Sequence, residues 1–199
     1  EYIYYMSLNY GGMEVFLADT TGKVNLLSGS QPQLDGLKLS ENGKKAAYLD
    51  TDANTGDTIL VEIELGKEKA ETVATNVQSF GYIGNTLIYY FDYTEGVGTL
   101  GAAGSKTTIA NASGVQFTED AVYYVADADA ATGNGELRAW DGKTETAIAK
   151  DVFAFQYKEN GKLVYIGKYD VNAGVGDLYY YDGKEARKLD TGITAIFIY

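Results

Sequence analysis

Runs rich in aromatic and β-branched residues alternate with polar Gly/Asp/Asn segments along the whole chain, and the alternation repeats at about 40 residues. Each unit opens its visible pattern with an aromatic strand: Tyr2-Ile-Tyr-Tyr, Ala47-Tyr-Leu-Asp50, Leu87-Ile-Tyr-Tyr-Phe-Asp92, Val122-Tyr-Tyr-Val-Ala-Asp127 and Leu163-Val-Tyr-Ile-Gly-Lys-Tyr-Asp170. These runs close on Asn9, Asp50, Asp92, Asp127 and Asp170, which read as one recurring position. A second strand follows, ending in a turn with Gly and Lys, such as Asp141-Gly-Lys143 and Asp182-Gly-Lys184. Glycine supplies the positive φ of tight hairpin turns, so these mark antiparallel pairs. A third short strand comes next (Val24–Leu27, Glu71–Ala74, Thr107–Ala110, Thr146–Ala149, Ala186–Leu189).

The fourth strand carries the strongest architectural hint. It reads Leu34–Leu39, Val77–Tyr82, Asn111–Gln116, Val152–Tyr157 and Ile193–Ile198, with a small third residue each time: Gly36, Ser79, Ser113, Ala154 and Ala195. Small side chains are needed where sheets converge on an axis, which marks this as an inner strand. Runs apolar on both faces, such as Leu87–Phe91, fit sheets packed between two neighbours. The expected fold is all-β: one domain over 1–199, a five-bladed β-propeller with four antiparallel strands per blade. The C-terminal inner strand, 193–199, would close the ring by pairing with the N-terminal three strands at 2–28.

The inner-strand turns Leu37-Lys-Leu-Ser-Glu-Asn-Gly-Lys-Lys-Ala-Ala-Tyr48 and Phe155-Gln-Tyr-Lys-Glu-Asn-Gly-Lys-Leu-Val-Tyr165 resemble those of TolB-like, WD-repeat-like propellers of bacterial extracytoplasmic proteins. Gly176-Asp-Leu-Tyr-Tyr-Tyr-Asp-Gly-Lys184 is similar to that family's second hairpin, while the proline usual in the turn is absent. The resemblance implies an extracytoplasmic binding or scaffold module, with no catalytic residues.

Composition narrows the chemistry. There is no Cys and no His, which excludes disulfides, thiolate catalysis, Ser-His-Asp triads and His-bearing zinc sites. A net charge of −12 repels phosphate backbones and anionic membrane surfaces, so nucleic acid is not an expected partner. No run of 18 apolar residues exists, so no direct membrane insertion by this segment is expected. The start at Glu1 reads as a processed product or an excised piece of a larger surface protein.

Three loops collect oxygens: Asp50–Asp57, Asp127–Asp129 with Asn134 and Glu136, and Asp170 with Asn172 and Asp177. Alternating Asp/Asn with Gly is how calcium loops present hard ligands, but the Gly is one place late and the closing Glu is missing. Asp, Asn and Gly are also ordinary hairpin residues, so turns are expected and no metal ligand or cofactor is assigned. Asp35 and Asp151, on or beside inner strands, are the acids a central-funnel glycosidase would need, yet no acid trio stands out. Tyr179–Tyr181 and Trp140 read as rings packed between blades rather than a binding face. Gly96-Val-Gly98 and Gly174-Val-Gly176 precede no helix and read as hairpin loops, not phosphate loops. The expectation is a non-enzymatic interaction module with a protein or glycan ligand. A pure scaffold and a carbohydrate-active hydrolase are the alternatives.

Overall fold

The structure, a computed structural model, describes residues 2–9, 12–22, 24–27, 33–67 and 69–197. In the strands of the first 35 residues, side chains are described only at Ile3, Tyr5 and Phe16–Ala18. The described residues are all strand, turn and irregular backbone. No helix among them is long and apolar enough to cross a membrane.

The chain divides into two compact units, Glu1–Tyr93 with Ala102–Ser105, and Thr94–Gly101 with Lys106–Tyr199. In the first unit β1 (Tyr2–Asn9), β2 (Gly12–Asp19) and β3 (Val24–Leu27) form a three-stranded antiparallel sheet. A four-stranded sheet follows in chain order: β4 (Gln33–Leu39), β5 (Lys45–Thr51), β6 (Thr58–Glu64) and β7 (Lys69–Thr75). Then β8 (Val77–Ile83) pairs with β9 (Thr86–Thr94). Period-2 patterning positions these strands. In β5 and β6, Ala46, Tyr48, Val61 and Ile63 pack with Leu17 into one cluster, while Ala47 and Leu60 face Val77, Phe80 and Leu87 in another. Both faces are therefore buried, as the doubly apolar runs require.

The second unit runs as consecutive antiparallel neighbours: β10 (Val97–Ala102), β11 (Thr108–Phe117), β12 (Val122–Ala126), β13 (Gly135–Trp140), β14 (Glu145–Glu159), β15 (Lys162–Asp170), β16 (Val175–Tyr181) and β17 (Ala186–Ile193). Its core gathers Tyr123, Val125, Leu137, Val152, Phe155, Leu163 and Tyr165. The first half of each of the long strands β11 and β14 pairs with the strand before it and the second half with the strand after it, so each belongs to two successive antiparallel groups. The change happens at a single left-handed residue, Asn111 (φ 55) or Asp151 (φ 54). Asn76 (φ 55) does the same before β8, and Gly192 (φ 71) stands at the matching place near the end of β17. Asn, Asp and Gly are the residues that tolerate this conformation.

These switch residues correct the repeat alignment. Ala112, Val152 and Ile193 each follow a switch and oppose the leading glycines Gly98, Gly135 and Gly176. Val77, Ala112 and Val152 are buried at the same register. Asn111 is thus the switch itself and not the first inner-strand residue. The small position of that repeat is Gly114 (φ 59) rather than Ser113. Smallness hides the slip, because Ser113 and Gly114 both satisfy it.

The recurring closing acid is also two positions in one. Asp92 (φ 50), within β9, and Asp127 (φ 48), just after β12, are left-handed residues whose N–H donates to the carbonyl of the preceding switch residue, Asn76 or Asn111. Lys168 (φ 52) holds the equivalent backbone place in the last repeat. Asp170 instead belongs with Asp52 and Asp129, as set out below. Of the inner strand expected at Ile193–Ile198, residues 194–197 form no strand, and 198–199 lie outside the described residues.

Candidate functional site

Three loops follow the aromatic strands, and all are built the same way. Asp52 accepts from the N–H groups of Asn54 (2.8 Å) and Thr55 (3.2 Å), and its carbonyl accepts from Gly56 N–H. Asp129 accepts from Ala131 (3.1 Å) and Thr132 (2.9 Å), and Asp170 from Asn172 (2.9 Å) and Ala173 (3.2 Å). Gly133 and Gly174 close these two loops as Gly56 closes the first. Side-chain carboxylates here take the place of a backbone carbonyl in a turn. Backbone N–H groups stabilise the charged form, which holds Asp52 and Asp129 below the usual carboxylate range. The loops are thus turns. Asp50 is buried at the end of β5 and accepts from Thr51 N–H (2.8 Å). Among the described residues no three acidic side chains come together in a way that could hold a metal ion.

Charged clefts occur in each unit. In the first, a cleft of about 360 Å³ is lined by Lys45, Glu62, Glu64, Lys67 and Glu71. Lys45 Nζ lies 2.7 Å from Glu62, which also accepts from the Tyr82 hydroxyl at 2.8 Å. Lys67 pairs with Glu64 at 2.7 Å. The Lys67–Glu64 pair is exposed on both sides and contributes little stability, whereas Lys45–Glu62 is half-buried.

In the second unit a cleft of about 260 Å³ is lined by Ala126, Asp127, Gly135, Glu136, Arg138, Lys150 and Asp151. The β12–β13 register sets Tyr124 opposite Arg138, which places a buried phenol beside a guanidinium. The Tyr124 hydroxyl donates to Glu145. Arg138 donates to the same carboxylate at 3.1 Å and, through Nε, to Glu136 at 2.7 Å. Burial first, and then the adjacent Glu145, push the Tyr124 phenol well above its ordinary value. Asp127 accepts from the Asn111 amide at 3.2 Å. So of the acids around this cleft, Asp127 and Glu136 are hydrogen-bonded to Asn111 and Arg138, and both Asp127 and Asp151 are exposed. The structure brings Asp151 together with Asp127 and Glu136, a grouping the repeat pattern does not suggest. Asp35 lies in β4, and its side chain is outside those described.

Aromatic residues divide between core and surface. Trp140 is buried, and it opposes Val122 as Tyr181 opposes Leu163, so the two hold equivalent places. Tyr165 and Tyr179 stack at 4.9 Å within the core. Phe153 lies at the surface, as Tyr93 and Phe197 do: 37% exposed at a bulge of β14, it stacks on Tyr169 at 3.9 Å. Asn134 holds Tyr169 from below, accepting from its N–H (3.1 Å) and donating to its carbonyl (2.9 Å). Neither this stack nor the Tyr124–Glu145–Arg138–Glu136 network was legible as a pattern, because both join residues that only strand register brings together. In the two Gly-Val-Gly stretches the first glycines, Gly96 (φ 92) and Gly174 (φ 70), form the hairpin turns. The second ones, Gly98 and Gly176, are the second residues of β10 and β16.

No family model and no curated protein matches the chain. Solved structures do. The β-propeller domain of the Trilobed protease from Pyrococcus furiosus, described as having an open velcro topology, aligns with 95% of this chain and 67% of its own at 14% identity and a TM-score of 0.58. An acylaminoacyl peptidase in complex with a chloromethyl ketone aligns with 94% at 13% identity and a TM-score of 0.54, and the chain spans 37% of its length. The tricorn protease aligns with 100% at 12% identity and a TM-score of 0.53, over 26% of its own chain. The propeller resemblance read from the repeats therefore holds at the level of the fold.

Proposed function

We propose that the chain is a non-catalytic interaction or ligand-binding module of a larger extracytoplasmic bacterial surface protein. We further propose that it is one domain of five four-stranded blades. In this reading residues 193–199 form the inner strand that completes the sheet β1–β3. Gly192 supports that placement, since it stands where Asn76, Asn111 and Asp151 stand before the other inner strands. Deleting 193–199 is expected to lower the unfolding midpoint, and an unchanged cooperative transition overturns the closure.

The observation that carries the binding reading is the engagement of the cleft acids. Asp127 is held to Asn111, and Glu136 to Arg138. A retaining or inverting sugar hydrolase needs one acid free to protonate and another free to attack or activate water. A rigid, charged surface whose acids brace strands suits recognition instead. The exposed Asp151 keeps the carbohydrate-active alternative specific enough to test. Purified protein is applied to glycan and peptide arrays and, in parallel, to chromogenic glycosides. Saturable binding without turnover is expected. Turnover that Asp151→Asn abolishes overturns the reading in favour of a hydrolase, and neither binding nor turnover leaves a pure scaffold.

A further inference from the structure

Three Asn-Gly pairs occur among the described residues: Asn42-Gly43, Asn134-Gly135 and Asn160-Gly161. This pair is chemically labile in any chain, because a glycine nitrogen, unshielded by a Cβ, can reach the preceding side-chain carbonyl carbon. The fold treats the three pairs differently.

Asn134 is clamped at both ends of its amide by the backbone of Tyr169. Its Gly135 sits so tightly that a Cβ there would come within 2.4 Å of the Ala126 carbonyl oxygen. Turning the Asn134 side chain toward Gly135 would break two hydrogen bonds in a packed place. In Asn42, Oδ1 accepts from Ser40 Oγ and from Lys44 N–H, both at 3.0 Å, and the Gly43 nitrogen is committed to the Ser40 carbonyl at 2.8 Å. The nucleophile and the electrophile are both held.

Asn160 is exposed, and its amide has no hydrogen-bond partner among the described residues. The Gly161 nitrogen makes one long contact, to the Tyr157 hydroxyl at 3.3 Å. The pair forms the two-residue tip between β14 and β15, with φ 49 and 72 and the strands closing at Glu159 and Lys162. A hairpin tip is the part of a sheet that opens at least cost.

We propose that Asn160-Gly161 is a built-in site of spontaneous deamidation. The deprotonated Gly161 nitrogen attacks Asn160 Cγ, a C–N bond forms and the side-chain nitrogen leaves as ammonia. Water then opens the resulting succinimide at either carbonyl, giving aspartate or isoaspartate. Either product places a carboxylate at the tip. The isoaspartate also lengthens the backbone by a methylene inside a turn that fits two residues with φ above zero. The altered tip lies beside Tyr157, whose ring packs on buried Tyr123 at 5.0 Å.

The test is incubation of the folded protein in mildly alkaline buffer, followed by peptide mapping and isoaspartate-specific enzymatic methylation. A parallel sample is held in urea. Conversion at Asn160 several-fold faster than at Asn42 and Asn134 is expected in the folded sample, with the three rates converging in urea. Equal rates in the folded protein, or earlier conversion at Asn42 or Asn134, overturn the proposal. A preference for Asn160 that persists in urea overturns it too, since the selectivity would then come from local sequence and not from the fold.

Discussion

Gly135 offers the sharpest test of the packing described above. It opens β13 opposite Val152, and its backbone is not left-handed, so an alanine there would face no φ penalty. Elsewhere in a strand, Gly→Ala gains about 0.5–1 kcal/mol by removing chain freedom. Here the new Cβ would lie 2.4 Å from the Ala126 carbonyl oxygen, 2.6 Å from Val125 Cγ1 and 3.0 Å from Ala128 Cα. Two of those three atoms are backbone, so relief requires β12 to move by about 1 Å, and β12 is buried throughout. Overpacking of this severity falls at the upper end of the usual range, about 3 kcal/mol, leaving a net cost of about 2 kcal/mol. For a chain of this size that is a fall in Tm of about 4–8 °C. Gly176→Ala is expected to cost less, because its closest obstacle, at 2.5 Å, is the Ile166 methyl rather than a carbonyl. Circular dichroism melts of the two variants and the parent measure both statements. A midpoint for Gly135→Ala at or above the parent's refutes the reasoning.

Leu137→Ala empties a fully buried place in the second unit's core and is expected to cost about 2–5 kcal/mol, read from the urea midpoint. Burial, with Tyr93 nearby, raises the Tyr90 phenol from 10.0 to about 12. The neutral form is therefore favoured by folding: its contribution is whole below pH 10, declines above it as the unfolded chain ionises, and is gone once pH passes 12. Phenolate absorbance with the stability followed across that window checks this, and unchanged stability from pH 9 to 12 contradicts it (about one unit either side). Backbone N–H groups hold Asp52, Asp129, Asp141 and Asp182 below their ordinary 3.8. Their contribution is present above 3.8 and is lost as pH falls through the lower folded values, so Asp129→Asn is expected to flatten the acid limb of the stability curve. An acid limb identical to the parent's rejects the role given to that turn.

The strand plan was legible in the repeats because each element carries its own local signal: an aromatic run, a Gly-Lys turn, a small inner residue. Register was less so. Ser113 and Gly114 are both small, and only the left-handed backbone at Asn111 separates the switch from the strand it begins. Asp127 and Asp129, two places apart, are the same residue type in different jobs, one ending a strand and the other folding a turn. Composition cannot distinguish them, since both jobs favour a short acceptor side chain. The Arg138 network was hidden for another reason: Tyr124, Glu136, Arg138 and Glu145 meet only once two hairpins are paired.

The switch residues set what evolution can move. Because β11 and β14 each belong to two groups, the natural cassette runs from just after one left-handed residue to the next, as from Ala112 to Asp151, and not from loop to loop. A duplication or deletion phased at the switches hands each new copy an intact inner strand and a matching outer half. One phased at the Asp-Gly-Lys turns would instead carry each long strand whole and place its junction between two strands of one group. The number of groups in such a chain can therefore grow or shrink by whole cassettes while every junction stays the same.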